Sequence, residues 1–191
     1  KDQVVALEAF KAGEFDFLSV NIAKQWARAM DGPHFSSGAI IKKLFPHSNN
    51  AGMQGFVMNT RREIFKDPLV RKALGLAFDF EWTNTALFYD QYTRSNSFFS
   101  NSYLAAEGTP SGFELEYLLP YKDQLPREVF ETPLSAPTTK GKYGIRRNLK
   151  QAKKLLADAG WTVKDGGLVD GRGKKFTFDI VLVSSAFERV M

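Results

Sequence analysis

Residues 53–82, MQGFVMNTRREIFKDPLVRKALGLAFDFEW, decide the fold class of this chain. The alternation in MQGFVMNT predicts a β-strand that places Phe56 and Met58 on one face. Asp67-Pro68 then marks a helix start, because Asp caps free N–H groups and Pro fits the first turn. The apolar residues that follow recur at helical spacing, and EWTNTALFYD predicts a second helix after a short break.

Helices and strands alternate along the rest of the chain. Further helices are predicted at 2–12, 21–30, 113–119 and 148–159, and further strands at 14–20, 39–46 and in a hairpin over 167–185. Asn148 is predicted to cap the most strongly periodic helix, and Gly160 to end it. This alternation predicts an α/β or α+β fold in which helices flank a mixed β-sheet.

The composition is that of a globular protein. The chain has 191 residues, 43% of them hydrophobic, with 17 Phe, which is enough for a packed core. There is no Cys, which excludes disulfides and thiolate chemistry. Apolar runs are too short to cross a bilayer, and no export signal opens the sequence. Because the chain starts without Met and stops at SSAFERVM without a helix stop signal, we expect both ends to be internal.

The sequence contains no convincing catalytic or metal-binding arrangement. His34 and His47 lie in predicted loops, and neither has a carboxylate at ligand spacing. GGLVDGRGKK, at 166–175, lacks the Gly-Lys-Ser/Thr ending of a phosphate-binding loop and predicts a hairpin turn instead. We therefore expect a protein that is not an enzyme and that carries no cofactor or metal.

A basic run accounts for the net charge of +5. Residues 140–154, KGKYGIRRNLKQAKK, hold seven Lys or Arg and no acidic residue. Such a run is typical of a solvated helix face, and it is also compatible with an interaction module that binds an acidic partner or nucleic acid. Tyr143 is the only aromatic residue within it on which a base could stack.

A long loop combines aromatic and amide side chains. The segment 93–104 contains Phe98, Phe99, Asn101 and Ser102. Aromatic rings supply contact area and amides form hydrogen bonds with backbone-like groups, a mixture suited to a peptide or a small polar solute. The alternative is a loop that packs its own aromatic rings onto the domain.

Several segments, in the same order, resemble one known family. FKDPLVRKALGLAFDFEWTN (65–84) is similar to the signature of the family 5 extracellular solute-binding proteins, which deliver peptides to ABC importers. ALEAFKAGEFDF (6–17), NLKQAKKLLADAGW (148–161) and DGRGKKFTFDIVLVSS (170–185) resemble further family segments. The matching signature residues are Phe65, Asp67, Val70, Arg71, Ala73, Leu74, Ala77 and Asp79. NNAGMQGFVMNTRR and FFSNSYLAAEGTPS most resemble the oligopeptide-binding subgroup typified by microcin C peptide importers.

The resemblance implies a two-lobed, oligopeptide-binding-like clamp around a peptide. Residues 1–52 would then end the first lobe and approach the hinge, and 53–191 would form a crossover strand and a truncated second lobe. The implied partners are a peptide-like ligand and the ABC permease, with no nucleic acid, and the implied protein is a monomer, periplasmic or lipid-anchored. The candidate cleft residues are Gln54, Phe56, Asn59, Phe98, Phe99, Asn101 and Ser102.

The same resemblance has two further implications. Family members anchor the peptide amino terminus with an Asp that lies beyond the end of this chain, so we expect the isolated chain to bind ligand weakly or not at all. Arg61 and Arg62 follow the predicted crossover strand, where they would be hinge or surface anchors or, alternatively, ligand contacts.

Overall fold

The computed structural model describes residues 2–182, together with Glu188 and Val190. The helices are α1 (Gln3–Lys11), α2 (Ala23–Arg28), α3 (Pro33–Ser36), α4 (Glu63–Lys66), α5 (Pro68–Ala77), α6 (Phe80–Phe88), α7 (Gly112–Leu118), a 3₁₀ turn (Leu119–Tyr121), α8 (Glu128–Glu131) and α9 (Gly144–Asp158). Two strands follow, β1 (Thr162–Lys164) and β2 (Gly167–Val169). Among the described residues, no helix is both long and apolar enough to span a membrane.

The first of two compact units comprises 2–47 and 82–92. Its first helix, α1, begins where the Asp2 carboxylate accepts a hydrogen bond from Val4 N at 2.8 Å. Gly13 follows the helix with φ +80°, the left-handed conformation of a glycine that ends a helix. Helix α2 also lies where it was predicted, but its N-cap residue is Ile22, and no side chain caps it.

The second unit comprises 48–81 and 93–182, and its core lies between α5 and α9. Val70 and Ala73 on α5 are each 1% exposed, and Ala152 and Leu156 on α9 are buried with them. Alanine on both helices permits close approach of the two backbones. The predicted start of α5 is confirmed, because the Asp67 carboxylate accepts a hydrogen bond from Leu69 N at 2.7 Å and Pro68 occupies the first turn.

Helix α9 starts earlier than the sequence predicted. It begins at Gly144, so Asn148 lies inside the helix and is not its cap, contrary to the prediction. The Asn148 side chain is buried, and its Nδ2 donates a hydrogen bond to the carbonyl oxygen of Thr138 at 3.1 Å. The role of the Asn148 side-chain amide is therefore a tertiary contact with Thr138 and not helix capping. Gly160 ends the helix with φ +84°, as predicted.

The predicted hairpin exists in a shifted form. Strands β1 and β2 are antiparallel, and Asp165 and Gly166 turn between them with φ of +51° and +79°. Both angles are positive, as in a type I′ turn, for which Asp-Gly is a preferred sequence. The predicted turn after β2 is also present, because the Asp170 carboxylate accepts hydrogen bonds from the backbone N–H groups of Arg172 and Lys174.

The predicted mixed sheet is wrong for the described residues. Their sheet is two-stranded and antiparallel, extended by one isolated bridge between Val169 and Lys175. The segments 14–20, 39–46 and 53–60 form no strand there. Alternation of apolar and polar residues indicates only which face of an extended segment is apolar. A β-strand also needs a neighbouring strand that forms hydrogen bonds with its backbone N–H and C=O groups. The end of the predicted second hairpin arm, 183–185, lies outside the described residues.

Candidate ligand-binding surface

Hydrogen bonds to backbone groups of other segments hold the loop 93–104 at two places within the second unit. Near its start, the Asn96 side-chain oxygen accepts a hydrogen bond from Ala136 N at 3.0 Å. Further along, Ser100 O accepts a hydrogen bond from Ala51 N at 2.8 Å, and Asn101 Nδ2 donates to Asn49 O at 2.9 Å. The loop is therefore held against the segment that leads into the candidate residues at 54–59.

The aromatic candidates lie at the surface. Phe98 is 73% exposed, and Phe99 and Phe56 are each about half exposed. Phe98 and Phe99 thus keep much of their ring surface available for contact with another molecule. Ser102 is half-buried, and its hydroxyl donates a hydrogen bond to Phe99 O at 2.7 Å, which tightens the loop from within.

The remaining candidates, Gln54 and Asn59, lie before helix α4. Gln54 and Asn59 are both exposed, and in the described part of the chain no hydrogen bond joins either of them to the loop 93–104. The Asn59 side-chain oxygen accepts a hydrogen bond from Arg61 N at 3.1 Å and forms a local turn. The structure thus connects Asn101 to the 49–51 segment, whereas no hydrogen bond among the described residues connects Gln54 or Asn59 to the loop.

Arg94, a residue near the start of this loop that was not among the predicted candidates, lies close to two aromatic rings. Its guanidinium carbon is 5.0 Å from the ring centroid of Phe78 and 5.3 Å from that of Phe80. The Phe78 ring in turn packs edge-on against candidate Phe56, with centroids 6.4 Å apart. Burial lowers the pKa of Arg94 from its ordinary value, and the nearby charge of Glu81 opposes that change.

Glu81 is the centre of a hydrogen-bond network beside Arg94. One carboxylate oxygen accepts from the Thr138 hydroxyl at 2.5 Å, and the other accepts from Thr139 N at 3.0 Å and the Thr139 hydroxyl at 2.9 Å. Burial raises the pKa of Glu81, but these hydrogen bonds outweigh it and lower the pKa to about 2. Glu81 is therefore an ionised acceptor at neutral pH.

The same network joins three distant parts of the sequence. The buried Thr139 hydroxyl also lies 2.5 Å from a carboxylate oxygen of Asp79, so one hydroxyl proton faces two acidic side chains. Asn148 binds the carbonyl oxygen of neighbouring Thr138. The segment 138–139 is thereby fixed between the start of α6 and helix α9. The network was not predicted from the sequence, because Glu81 and its threonine partners lie 57 and 58 positions apart.

The basic run covers the outer face of α9 and the segment before it. All seven Lys and Arg side chains in 140–154 are exposed, whereas the opposite face of the helix packs into the core. Within the described residues, only Lys154 of this run forms an ion pair, with Asp158 at 2.7 Å. The polar face therefore presents positive charge of a single sign to solvent.

The described residues offer no group of three or more His, Asp or Glu side chains able to hold a metal ion. Both histidines, His34 and His47, are exposed. The candidate surface presents aromatic rings, amides and the Arg94 guanidinium, groups suited to contact with a ligand.

Comparison with known families identifies the family of the chain. The model of "Bacterial extracellular solute-binding proteins, family 5 Middle" matches residues 1–191. This chain belongs to that family. The family 5 resemblance inferred from the sequence is thus confirmed, and the family is one of solute-binding proteins rather than enzymes.

Individual family 5 relatives are similar over nearly the whole chain. "Uncharacterized protein YejA" of Escherichia coli is 41% identical over 97% of this chain, and "Probable peptide-binding protein YejA" of Agrobacterium fabrum is 39% identical over 100%. "Peptidoglycan-binding protein YepA" of Agrobacterium fabrum is 34% identical over 96%. In each case this chain spans 31% of the relative's length.

Proposed function

We propose that this chain is part of the substrate-binding component of an ABC importer. In this proposal the whole protein captures oligopeptides or peptide-like solutes between two lobes and delivers them to the membrane permease. The family match over 1–191 carries the proposal, and a relative named a probable peptide-binding protein supports the ligand class. Residues 1–52 would end the first lobe and 53–191 would continue through the crossover into the second, in a monomer that is periplasmic or lipid-anchored.

Capture would follow from lobe closure around an extended peptide. A ligand can favour the closed form only through contacts that the open form lacks. The exposed rings of Phe98, Phe99 and Phe56 would supply contact area, and the amides of Asn101, Gln54 and Asn59 would form hydrogen bonds with the peptide backbone. Because the loop 93–104 is hydrogen-bonded at Asn96 and Ser100, less of its freedom would be lost on binding.

Removal of the two loop phenylalanines tests this proposal. In the full-length protein that contains this sequence, the double variant Phe98→Ala/Phe99→Ala should raise the peptide Kd about tenfold or more, because it deletes two exposed aromatic contacts. Isothermal calorimetry with a panel of two- to six-residue peptides measures the change. Phe113→Ala, at another exposed phenylalanine outside the loop, is the matched control and should leave Kd unchanged.

Two results would count against the proposal in different ways. An unchanged Kd in the double variant would remove the loop from the binding site while leaving the family function intact. A wild-type protein that binds no peptide of the panel would contradict the peptide as ligand class.

A second candidate function rests on the exposed basic run at 140–154. A non-enzymatic interaction module could use these seven cations to bind an acidic partner or nucleic acid. Under the importer proposal we expect no retention of duplex DNA in a filter-binding assay at about 50 mM salt. Retention that falls steeply between about 50 and 200 mM salt would favour the alternative, because phosphate binding releases counterions.

A further inference from the structure

The Arg94 guanidinium has hydrogen-bonding capacity that the described residues do not use. Arginine carries five N–H donors in a rigid planar fork. Arg94 is half-buried, yet it donates no hydrogen bond to any residue that the structure describes and forms no ion pair with one. Among the described residues, it interacts with the rings of Phe78 and Phe80 and with the charge of Glu81.

Glu81 does not occupy the Arg94 donors because its own oxygens are already engaged. Both carboxylate oxygens accept hydrogen bonds from the segment 138–139, three in total. The carboxylate is thus held toward the threonines. Its charge attracts the guanidinium without taking up the N–H fork.

The aromatic rings hold the guanidinium in place. The ring centroids of Phe78 and Phe80 lie 5.0 and 5.3 Å from its central carbon, within the range of cation–π attraction. A ring face accepts no conventional hydrogen bond, so these contacts leave the N–H donors without an oxygen acceptor among the described residues. Phe78 also contacts Phe56, so one ring lies next to both the guanidinium and an aromatic candidate. A cation held in this way loses little conformational freedom when a ligand arrives.

We propose that Arg94 binds a carboxylate of the captured peptide, an inference that rests on the peptide-binding function proposed above. A planar fork pairs with a carboxylate through two parallel charge-assisted hydrogen bonds, and partial burial strengthens them. A neutral carbonyl would use the same donors less strongly. The negative charge of Glu81 offsets part of the attraction between Arg94 and a ligand carboxylate. Arg94 therefore contributes mainly to selectivity for the carboxylate, and the aromatic rings supply most of the contact area.

Matched peptides that differ only in the carboxylate test the assignment in the full-length protein. Each peptide of a two- to six-residue panel is measured by calorimetry as the free acid and as the C-terminal amide. The wild-type protein should bind the free acids about tenfold more tightly. Amidated peptides that contain one aspartate form a third arm, which separates a side-chain carboxylate from the terminal one.

Variants of Arg94 assign any such preference to this side chain. Arg94→Gln should bring the acid-to-amide ratio to about one, whereas Arg94→Lys, which keeps the charge but not the fork, should retain part of it. Arg146→Gln removes an exposed arginine on α9 and should leave the ratio unchanged. Circular dichroism of each variant checks that the fold is retained.

The outcomes distinguish this inference from the function on which it rests. If wild-type protein binds peptides but ignores amidation, or if Arg94→Gln keeps the preference for the acid, the Arg94 assignment is wrong and peptide binding stands. If Arg94→Gln fails to fold, Arg94→Lys gives the test instead. An acid-to-amide ratio in Arg94→Lys equal to that of the wild type would overturn the proposal that the planar guanidinium pairs with the carboxylate. Binding of no peptide at all would overturn both proposals.

Discussion

The variant Phe65→Ala is expected to lower the free energy of unfolding of the second unit by about 3–5 kcal/mol. Phe65 is 7% exposed and belongs to the core cluster that contains Val70 and Ala73. Its ring also packs edge-on against Phe178, with centroids 5.3 Å apart. Removal of the ring would leave a cavity between helix α4 and the α5–α9 pair, and a rigid helix pair fills such a cavity only in part.

Hydrogen exchange in the full-length protein measures this loss where it occurs. Backbone amides of α5 and α9 should exchange faster in Phe65→Ala, because their opening requires less free energy. Phe113→Ala deletes the same ring at a site that is 81% exposed, and its effect should stay within about 0.5 kcal/mol. Equal losses in the two variants would show that Phe65 is not part of a stabilising core.

The longer helices of this fold were predictable because their signals are local, whereas the four-residue helices α3, α4 and α8 were not predicted. Asp67 caps the helix that begins at the next residue by accepting a hydrogen bond from Leu69 N, and Gly13 and Gly160 adopt the left-handed angles that end helices. Each of these residues acts on its immediate neighbours, so a short window of sequence contains the whole signal. The start of α9 is the exception, since Asn148 bonds to Thr138, ten residues away, and its role was therefore mistaken.

The strands were not predictable in the same way because their partners are not local. The segment 53–58 alternates correctly, yet no described residue pairs with it, and Val57 remains 97% exposed. The hairpin that does form is joined by Asp165-Gly166, whose neighbours are close in sequence. In the described residues, the strands therefore formed next to a sequence typical of a tight turn, and not where apolar and polar residues alternate in 53–58.

The candidate surface shows the same division between local and distant signals. Phe98 and Phe99 were identified from their own loop, and the structure leaves both exposed. The network around Glu81 joins residues that are 57 and 58 positions apart, so no short sequence motif could predict it. Arg94 was missed for the same reason, because its significance lies in rings and a carboxylate that the fold brings to it.

The Glu81 network should make the second unit sensitive to acid. The folded pKa of Glu81 is about 2, below its ordinary value of 4.5, because hydrogen bonds to Thr138 and Thr139 outweigh the effect of burial. A depressed pKa stabilises the fold above about pH 4.5, and this contribution is lost as the pH falls through about 2. Allowing for solvent screening of a half-buried group, we expect a contribution of about 2 kcal/mol at neutral pH.

The variant Glu81→Gln should remove both the stability and its pH dependence. A glutamine keeps one acceptor oxygen but turns an NH₂ group toward the donors of Thr138 or Thr139, so at least one of these donors loses its partner. Urea unfolding of the full-length protein at pH 7 and at pH 2.5 measures the difference, and the variant should lose less stability between the two pH values than the wild type.

The comparison with another acidic residue decides whether the effect belongs to this network. Glu107→Gln removes the same charge at an exposed loop position that forms no hydrogen bond to any described residue, so it should keep the acid sensitivity of the wild type. Groups that titrate elsewhere in the protein cancel in this double difference. If both variants lose as much free energy of unfolding between pH 7 and pH 2.5 as the wild type, the hydrogen bonds of Glu81 do not stabilise the segment 138–139. The engagement of Glu81 by the threonines would then no longer explain why it leaves the N–H donors of Arg94 unused.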